Sequence, residues 1–178
     1  FAIAFVIGLC LIPYGGWWLL AVGVASVLCG YAYTAGPYPL AYVGLGDVFV
    51  MVFFGVVAVF CTFYVQTGYI GLEVLLASTA IGGLSTNLLV INNLRDIDTD
   101  KVANKRTLAV RLGRGFSIWE YRFFVAWAFV STLGMAFEMQ DSWVQLSLLT
   151  FPLGLMLSLN VAKVSSGTEF NGLLAKTA

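Results

Sequence analysis

Six long apolar runs leave this chain few ways to fold. They cover Phe1 to Ile12, Trp17 to Tyr33, Val48 to Tyr64, Leu72 to Ile91, Phe123 to Phe137 and Val144 to Val161, with no Asp, Glu, Lys or Arg at their centres. A helix needs about 20 apolar residues to cross roughly 30 Å of hydrocarbon. These stretches are continuous and do not alternate over ten-residue segments, which excludes a transmembrane β-barrel. Helices are the other way to satisfy every backbone group in lipid. The predicted fold class is therefore all-α, a polytopic membrane helix bundle of about six transmembrane helices. Pro13-Tyr14-Gly15-Gly16 closes the first run, and the fifth is short enough to need an extra turn at its start.

Composition agrees. The chain is 60% hydrophobic and 10% charged, against about 25% charged in soluble proteins. Its mean hydropathy is +0.92. It contains no histidine, which excludes His-based acid–base catalysis, a Ser-His-Asp triad and His-ligated zinc or haem within these residues. Cys10, Cys29 and Cys61 stand singly in apolar runs and read as buried thiols. No signal peptide is evident. The chain begins inside an apolar run and ends as a new segment starts, so residues 1–178 are expected to be one transmembrane domain truncated at both ends.

Loop charge supplies an orientation. Six alternating crossings put segments 34–47, 92–122 and 162–178 on one side and 13–16, 65–71 and 138–143 on the other. Arg95, Lys101, Lys105, Arg106, Arg111, Arg114, Arg122, Lys163 and Lys176 all fall on the first side, which the positive-inside rule makes cytoplasmic. Trp17, Trp18, Trp119 and Trp143 lie near predicted helix ends, where amphipathic rings favour the interface. Small residues recur every fourth position in Ala21-Ala25-Cys29 and in Ser78-Gly82-Thr86, two ridges that suit close helix packing. Glu73, Glu138 and Asp141 fall on the opposite face and read as solvated.

The charge the runs exclude is concentrated in residues 92–106, directly after the fourth run. Ionisable residues at the mouth of a membrane helix are functional candidates by default. If the fourth helix continues into this stretch, Asn92, Asp96, Asp100 and Asn104 recur every fourth residue. Each step rotates about 40° beyond a full turn and rises about 6 Å. They form one oxygen-rich stripe, and Asp98 points to nearly the opposite side. Two carboxylates and an amide suit Mg²⁺, which takes one or two carboxylates, keeps several waters and binds substrate phosphate. Lys101, Lys105 and Arg106 lie within two turns, and their charges match phosphate oxygens. The alternative is a solvated loop that anchors topology; it accounts for the Lys and Arg but not for three Asp.

The run Asn92-Asn93-Leu94-Arg95-Asp96 through Asp100, with Lys105-Arg106-Thr107-Leu108-Ala109-Val110 and Leu112-Gly113, resembles the second aspartate-rich motif of the UbiA superfamily of intramembrane prenyltransferases. The loop from Tyr33 to Asp47, with Gly36-Pro37-Tyr38-Pro39-Leu40 and Gly44-Leu45-Gly46-Asp47, is similar to that of the 1,4-dihydroxy-2-naphthoate polyprenyltransferases, the MenA branch. The resemblance implies a bundle of nine membrane helices, of which the six here correspond to the third through eighth. It implies a cavity near the cytoplasmic face of a bacterial inner membrane, where two Asp-rich motifs bind Mg²⁺ and a polyprenyl diphosphate.

Carried over residue by residue, Asn92, Asp96 and Asp100 are the implied metal site, with Asp96 and Asp100 the catalytic pair. Lys105, Arg106 and, less centrally, Arg95 are the implied diphosphate contacts. Tyr38, Tyr42 and Asp47 are candidates for the acceptor pocket, although Pro37 and Pro39 around Tyr38 suit a plain rigid turn equally. Phe49, Phe53, Phe54, Phe60, Phe63 and Tyr64 are candidates to stabilise an allylic cation. Two departures stand out: the first Asp-rich motif is absent from these residues, so that alone they are expected to be inactive, and Asn104 replaces an expected glycine. Asn tolerates left-handed backbone angles better than most residues.

The reaction implied transfers the prenyl chain to the naphthoate with loss of CO₂ and diphosphate, giving demethylmenaquinone, in its reduced quinol form, in menaquinone biosynthesis. The substrates are then a polyprenyl diphosphate and an aromatic acceptor, the surroundings are lipid bilayer, and no nucleic-acid partner is expected. Other acceptors (4-hydroxybenzoate, homogentisate) or a phytyl donor are the alternatives within the family. A cation transporter is the alternative outside it, but it would require ionisable groups deep in several helices.

Overall fold

The computed structural model describes residues 2–35, 39–140 and 142–178. Among them every regular element is helical. In chain order they are α1 (Ala2–Leu9), α2 (Ile12–Gly15), α3 (Trp18–Thr34) and a 3₁₀ turn at Leu40–Tyr42. Then come α4 (Gly46–Val50), a π-helical segment Met51–Phe60 and α5 (Cys61–Thr67), which together form one rod. They are followed by α6 (Leu72–Arg95), α7 (Ile97–Val102) and α8 (Leu108–Met139). A 3₁₀ stretch Ser142–Thr150 leads into α9 (Phe151–Asn160), and α10 (Gly167–Thr177) ends the fold.

Four helices are long and apolar enough to cross a membrane: Gly46–Thr67, Leu72–Arg95, Leu108–Met139 and Trp143–Asn160. Trp18–Thr34 is apolar but shorter. The first run forms only the eight residues of α1, about 12 Å at 1.5 Å per residue, because Pro13 and the glycines after it turn the chain.

The centre of the bundle is α6. The rod Gly46–Thr67 packs on one side of it and α8 on the other. The ridge Ser78-Gly82-Thr86 does what its spacing predicts, since all three residues are buried. A Cβ on Gly82 would lie 2.9 Å from Gly55 Cα, and one on Gly55 would lie 2.5 Å from Ser78 O. This contact joins α6 to the π-helical stretch of the rod. The other ridge does not pack: Ala21 and Ala25 are exposed, because α3 turns Gly23 toward Phe5 instead. The cysteines are not buried either; Cys10 is exposed, and Cys29 and Cys61 are half-buried on the thinly covered helices. On the far side of α6, Val90, Ile91, Leu94, Tyr121, Val125, Leu157, Val161, Phe170 and Leu173 close into one core.

The largest departure from the sequence reading is α8. It begins at Leu108, not near Phe123, and is broken at Gly113 (φ +83°, ψ 171°) into a short piece over residues 108–112 and a long piece over residues 114–139, the latter reaching about 39 Å. Thr107 starts it, its side-chain oxygen accepting from Val110 N at 3.3 Å, which is an N-cap. Residues 108–122, read as loop, are therefore helical apart from the break at Gly113. Trp119 lies in the second turn of the long piece. Arg122 donates to the Ser158 carbonyl in the last turn of α9 at 2.9 Å, and Arg114 to the Val164 carbonyl in the segment after it. Cations are favoured at that last turn by the helix dipole. Glu120, buried near the middle of α8, also means that an acidic group does enter a long helix, contrary to the boundary drawn from hydropathy.

Candidate functional site

At the end of α6 the helix stops at Arg95, and Asp96 (φ −96°, ψ 9°) leaves helical geometry before α7. The four-residue bonding survives the break: Asp96 N donates to Asn92 O at 3.0 Å and Asp100 N to Asp96 O at 2.8 Å. Asn92, Asp96 and Asp100 thus keep their turn-by-turn succession, as the spacing predicts. The succession ends there. Asn104 adopts φ +54°, the left-handed geometry expected of it as a glycine substitute, so it forms a turn and does not extend the stripe. Lys105 N then donates to Asp100 O at 2.8 Å, folding the chain back over Asp100.

Each carboxylate of the pair is held by its own cation. Arg95 forks on Asp96, Nε to Oδ1 at 2.8 Å and Nη2 to Oδ2 at 3.0 Å, while Nη1 donates to Asn171 Oδ1 on α10 at 2.8 Å. This fork, assisted by the charge of Lys105, holds the Asp96 carboxyl below its usual pKa. Lys105 Nζ donates to both oxygens of Asp100, at 3.0 and 3.2 Å. Asp100 is buried. Asp98 does face away, its side chain 91% exposed and bridged at 3.3 Å to Lys101. Lys101 and Arg106 are exposed, and Asn92 is half-buried.

The loop before the rod reaches this place from the other side. Arg106 N donates to Tyr42 O at 2.8 Å. Gly44 sits so close beneath that a Cβ on it would lie 2.9 Å from Arg106 O; its φ of +79° is one that L residues rarely adopt. Gly46 and Asp47 follow, both buried at the start of α4. Asp47 is 4% exposed, and its Oδ1 has no hydrogen-bond partner. A cavity of about 30 Å³ lies here, lined by Tyr33, Gly44, Asp47, Asn93, Lys105 and Thr107, which is room for one or two waters.

Three of these, Tyr33, Asn93 and Thr107, were not among the sequence candidates. All three stand within the two stretches that carry the resemblance, and Asn93 also stands out as an amide beside Asn92 at the end of an apolar helix. Tyr42 contributes its backbone carbonyl, and its side chain is exposed. Tyr38 lies outside the described residues.

Tyr33 also borders an apolar groove of about 610 Å³ between α3 and the rod, with Ser26, Cys29, Phe49, Phe53 and Phe54 among its walls. Phe49 and Phe53 stack there at 5.9 Å. Of the other ring candidates, Tyr64 meets Trp18 and Phe63 meets Tyr69, so these two serve packing, and Phe60 does not line the groove.

Among the described residues no three His, Cys, Asp or Glu side chains gather as a metal cage. The donor set Asn92, Asp96 and Asp100 fits a divalent ion that keeps water and ligand oxygens, not one fully enclosed by protein.

A family model described as "UbiA prenyltransferase family" matches residues 1–169. A protein of Mycobacterium tuberculosis named 1,4-dihydroxy-2-naphthoate octaprenyltransferase is 39% identical over 160 residues, 90% of this chain and 54% of that protein. The protein of the same name from Mycobacterium leprae is 36% identical over 172 residues, 97% of this chain and 58% of its own. UbiA prenyltransferase domain-containing protein 1 of Xenopus tropicalis is 31% identical over 150 residues, 83% of this chain and 41% of its own. The chain spans a little over half the length of its two mycobacterial relatives. No solved structure matches.

Proposed function

Because this chain belongs to the UbiA prenyltransferase family, we propose that the protein containing it transfers a polyprenyl group from its diphosphate to 1,4-dihydroxy-2-naphthoate in menaquinone biosynthesis. The observation that carries this reading is a junction. A pair of cation-held carboxylates, Asp96 and Asp100, stands beside a small polar cavity whose wall, Tyr33, is also a wall of an apolar groove. A substrate with a charged head and a long hydrocarbon tail has matching surroundings on both sides of that ring. The names borne by the two mycobacterial relatives support the choice of acceptor.

In this reading Asn92, Asp96 and Asp100 hold a divalent ion, Mg²⁺, which neutralises the leaving diphosphate. Lys105, Arg106 and Arg95 meet the diphosphate oxygens with N–H donors, and Arg95 offers the planar fork suited to them. Phe49 and Phe53 line the groove, where aromatic rings stabilise positive charge on the allylic carbon. The allylic C–O bond breaks as the ring carbon bearing the carboxylate bonds to the allylic carbon. That carboxylate leaves as CO₂, so no base is needed for a ring proton. This suits a site without histidine. Tyr42, whose side chain is exposed, meets the acceptor in this reading. The protein is an integral membrane protein, with the Asp-rich segment on the cytoplasmic side of a bacterial inner membrane.

The test is direct. The intact protein, purified in detergent, is given a polyprenyl diphosphate and 1,4-dihydroxy-2-naphthoate with and without Mg²⁺. Prenylated product and CO₂ are expected only with the metal, and EDTA is expected to suppress both. Turnover unaffected by chelation would refute the metal assignment, and no turnover with this acceptor but clear turnover with 4-hydroxybenzoate would refute the acceptor.

A further inference from the structure

Lys105 occupies the oxygens that a divalent ion would need. Its Nζ lies 3.0 and 3.2 Å from the two Asp100 oxygens, and the side chains are only 23% and 10% exposed. At such separations, partly out of water, a divalent ion and an ammonium on one carboxylate repel each other strongly. An ion that takes Asp100 therefore has to displace Lys105, and a half-buried ammonium needs another partner.

One stands within the same cavity. Asp47 is a buried carboxylate, and its Oδ1 lacks any hydrogen-bond partner. A carboxylate left in that condition is costly. The cavity between Asp47 and Lys105 takes one or two waters, so it admits an ammonium group and is too small for a fused two-ring acceptor. Asn93 and Thr107 line it and add oxygen acceptors for the two remaining N–H groups. The close approach of Gly44 to the Arg106 carbonyl fixes this cavity against the chain that carries Lys105.

We propose that Lys105 is a resident counter-ion with two seats, Asp100 and Asp47, and that Asp47 is a positioning residue which receives the ammonium when a divalent ion takes Asp100 before any diphosphate is bound. The proposal rests on the reading of Asp96 and Asp100 as ion ligands. It makes Asp47 part of the ion-binding machinery and not a wall of the acceptor pocket. Ion binding and lysine movement are then one event, and Asp47 makes the ion-bound arrangement accessible.

Mn²⁺ binding to the intact protein, followed by electron paramagnetic resonance without substrates, tests it through a double-mutant cycle. Asp47→Asn is expected to weaken Mn²⁺ binding about tenfold when Lys105 is present, and less than about twofold in a Lys105→Gln background, where nothing has to be reseated. Lys105→Gln alone is expected to tighten binding. A plain through-space effect of the Asp47 charge would weaken binding equally in both backgrounds, and that result overturns the two-seat arrangement. Absence of Mn²⁺ binding in the unaltered protein, with pyrophosphate added as well, overturns the ion-site reading itself, a distinguishable failure. Circular dichroism of each variant separates a folding defect from an ion-binding one.

Discussion

Two loops meet at this site and are built on opposite principles. In residues 95–107 each inward carboxylate has a cation on it, Arg95 on Asp96 and Lys105 on Asp100. In residues 39–47 the one carboxylate, Asp47, is buried with an oxygen unpaired. The first loop is balanced within itself and can exchange its partners for a metal and a diphosphate with little change in local charge. The second is unbalanced and holds still, pinned by backbone contacts at Tyr42 and Gly44. An exchangeable site gains from one fixed neighbour whose charge is not yet satisfied, because that neighbour stabilises whatever the exchange displaces.

The largest effect should separate residues inside the balanced loop. Asp100→Ala in the intact protein removes an ion ligand and the first seat of Lys105, and Asp96→Ala removes an ion ligand and the carboxylate partner of Arg95. Each is expected to lower kcat for prenyl transfer by about a hundredfold or more, the scale of losing a main electrostatic contributor. Asp98→Ala, only two residues from either, should stay within about twofold of the unaltered protein, since its carboxylate is solvated and its bridge to Lys101 is an exposed one. Equal losses at all three positions would mean that the segment acts through its overall charge and not through a specific pair.

The pinned loop should break at Gly44. Alanine there must hold φ near +79° and bring Cβ within 2.9 Å of Arg106 O and 3.2 Å of Arg111 Nε. Left-handed geometry alone costs about 1–2 kcal/mol for an L residue, and the contact adds to it, so a loss of about 1–3 kcal/mol is expected. Thermal unfolding in detergent measures the loss, with the Mn²⁺ affinity as a second readout. If stability falls while ion affinity holds, the docking of the two loops is structural and independent of the exchange.

How much of this was legible depended on sequence distance. The all-α class and the ridge on α6 follow from local composition and spacing, which is why Ser78, Gly82 and Thr86 pack as expected. Asn104 was legible for the same reason, as a residue that tolerates positive φ. The start of α8 was hidden because Arg111, Arg114, Glu120 and Arg122 lower the hydropathy of residues that are nonetheless helical, and helices that overhang a membrane carry such charge. The Thr107 cap was present in the sequence but overshadowed by that charge. The shared cavity of Asp47 and Lys105 was not legible, since it depends on a backbone contact between Tyr42 and Arg106 that only the folded chain forms. Sequence placed the two loops on one face of the membrane; it took the fold to bring them into contact.

The smallest effect concerns pH and isolates the fork on Asp96. Arg95 holds the folded pKa of Asp96 below the ordinary carboxylate range, so the folded state binds its proton more weakly than the unfolded chain does. The stabilisation is present above the unfolded value of about 3.9 and is lost as pH falls through the lowered folded value. With the Asp96 side chain 37% exposed, water screens the pair and the effect is modest. Asp96→Asn should therefore unfold slightly earlier than the unaltered protein at pH 6 to 7. The two curves should converge as pH falls below about 4, because protonation then removes from one protein what substitution removed from the other. A difference that persists unchanged at low pH would assign the role of Asp96 to its shape or its backbone bonds to Asn92 and Asp100, and the loop would then be balanced by geometry more than by charge.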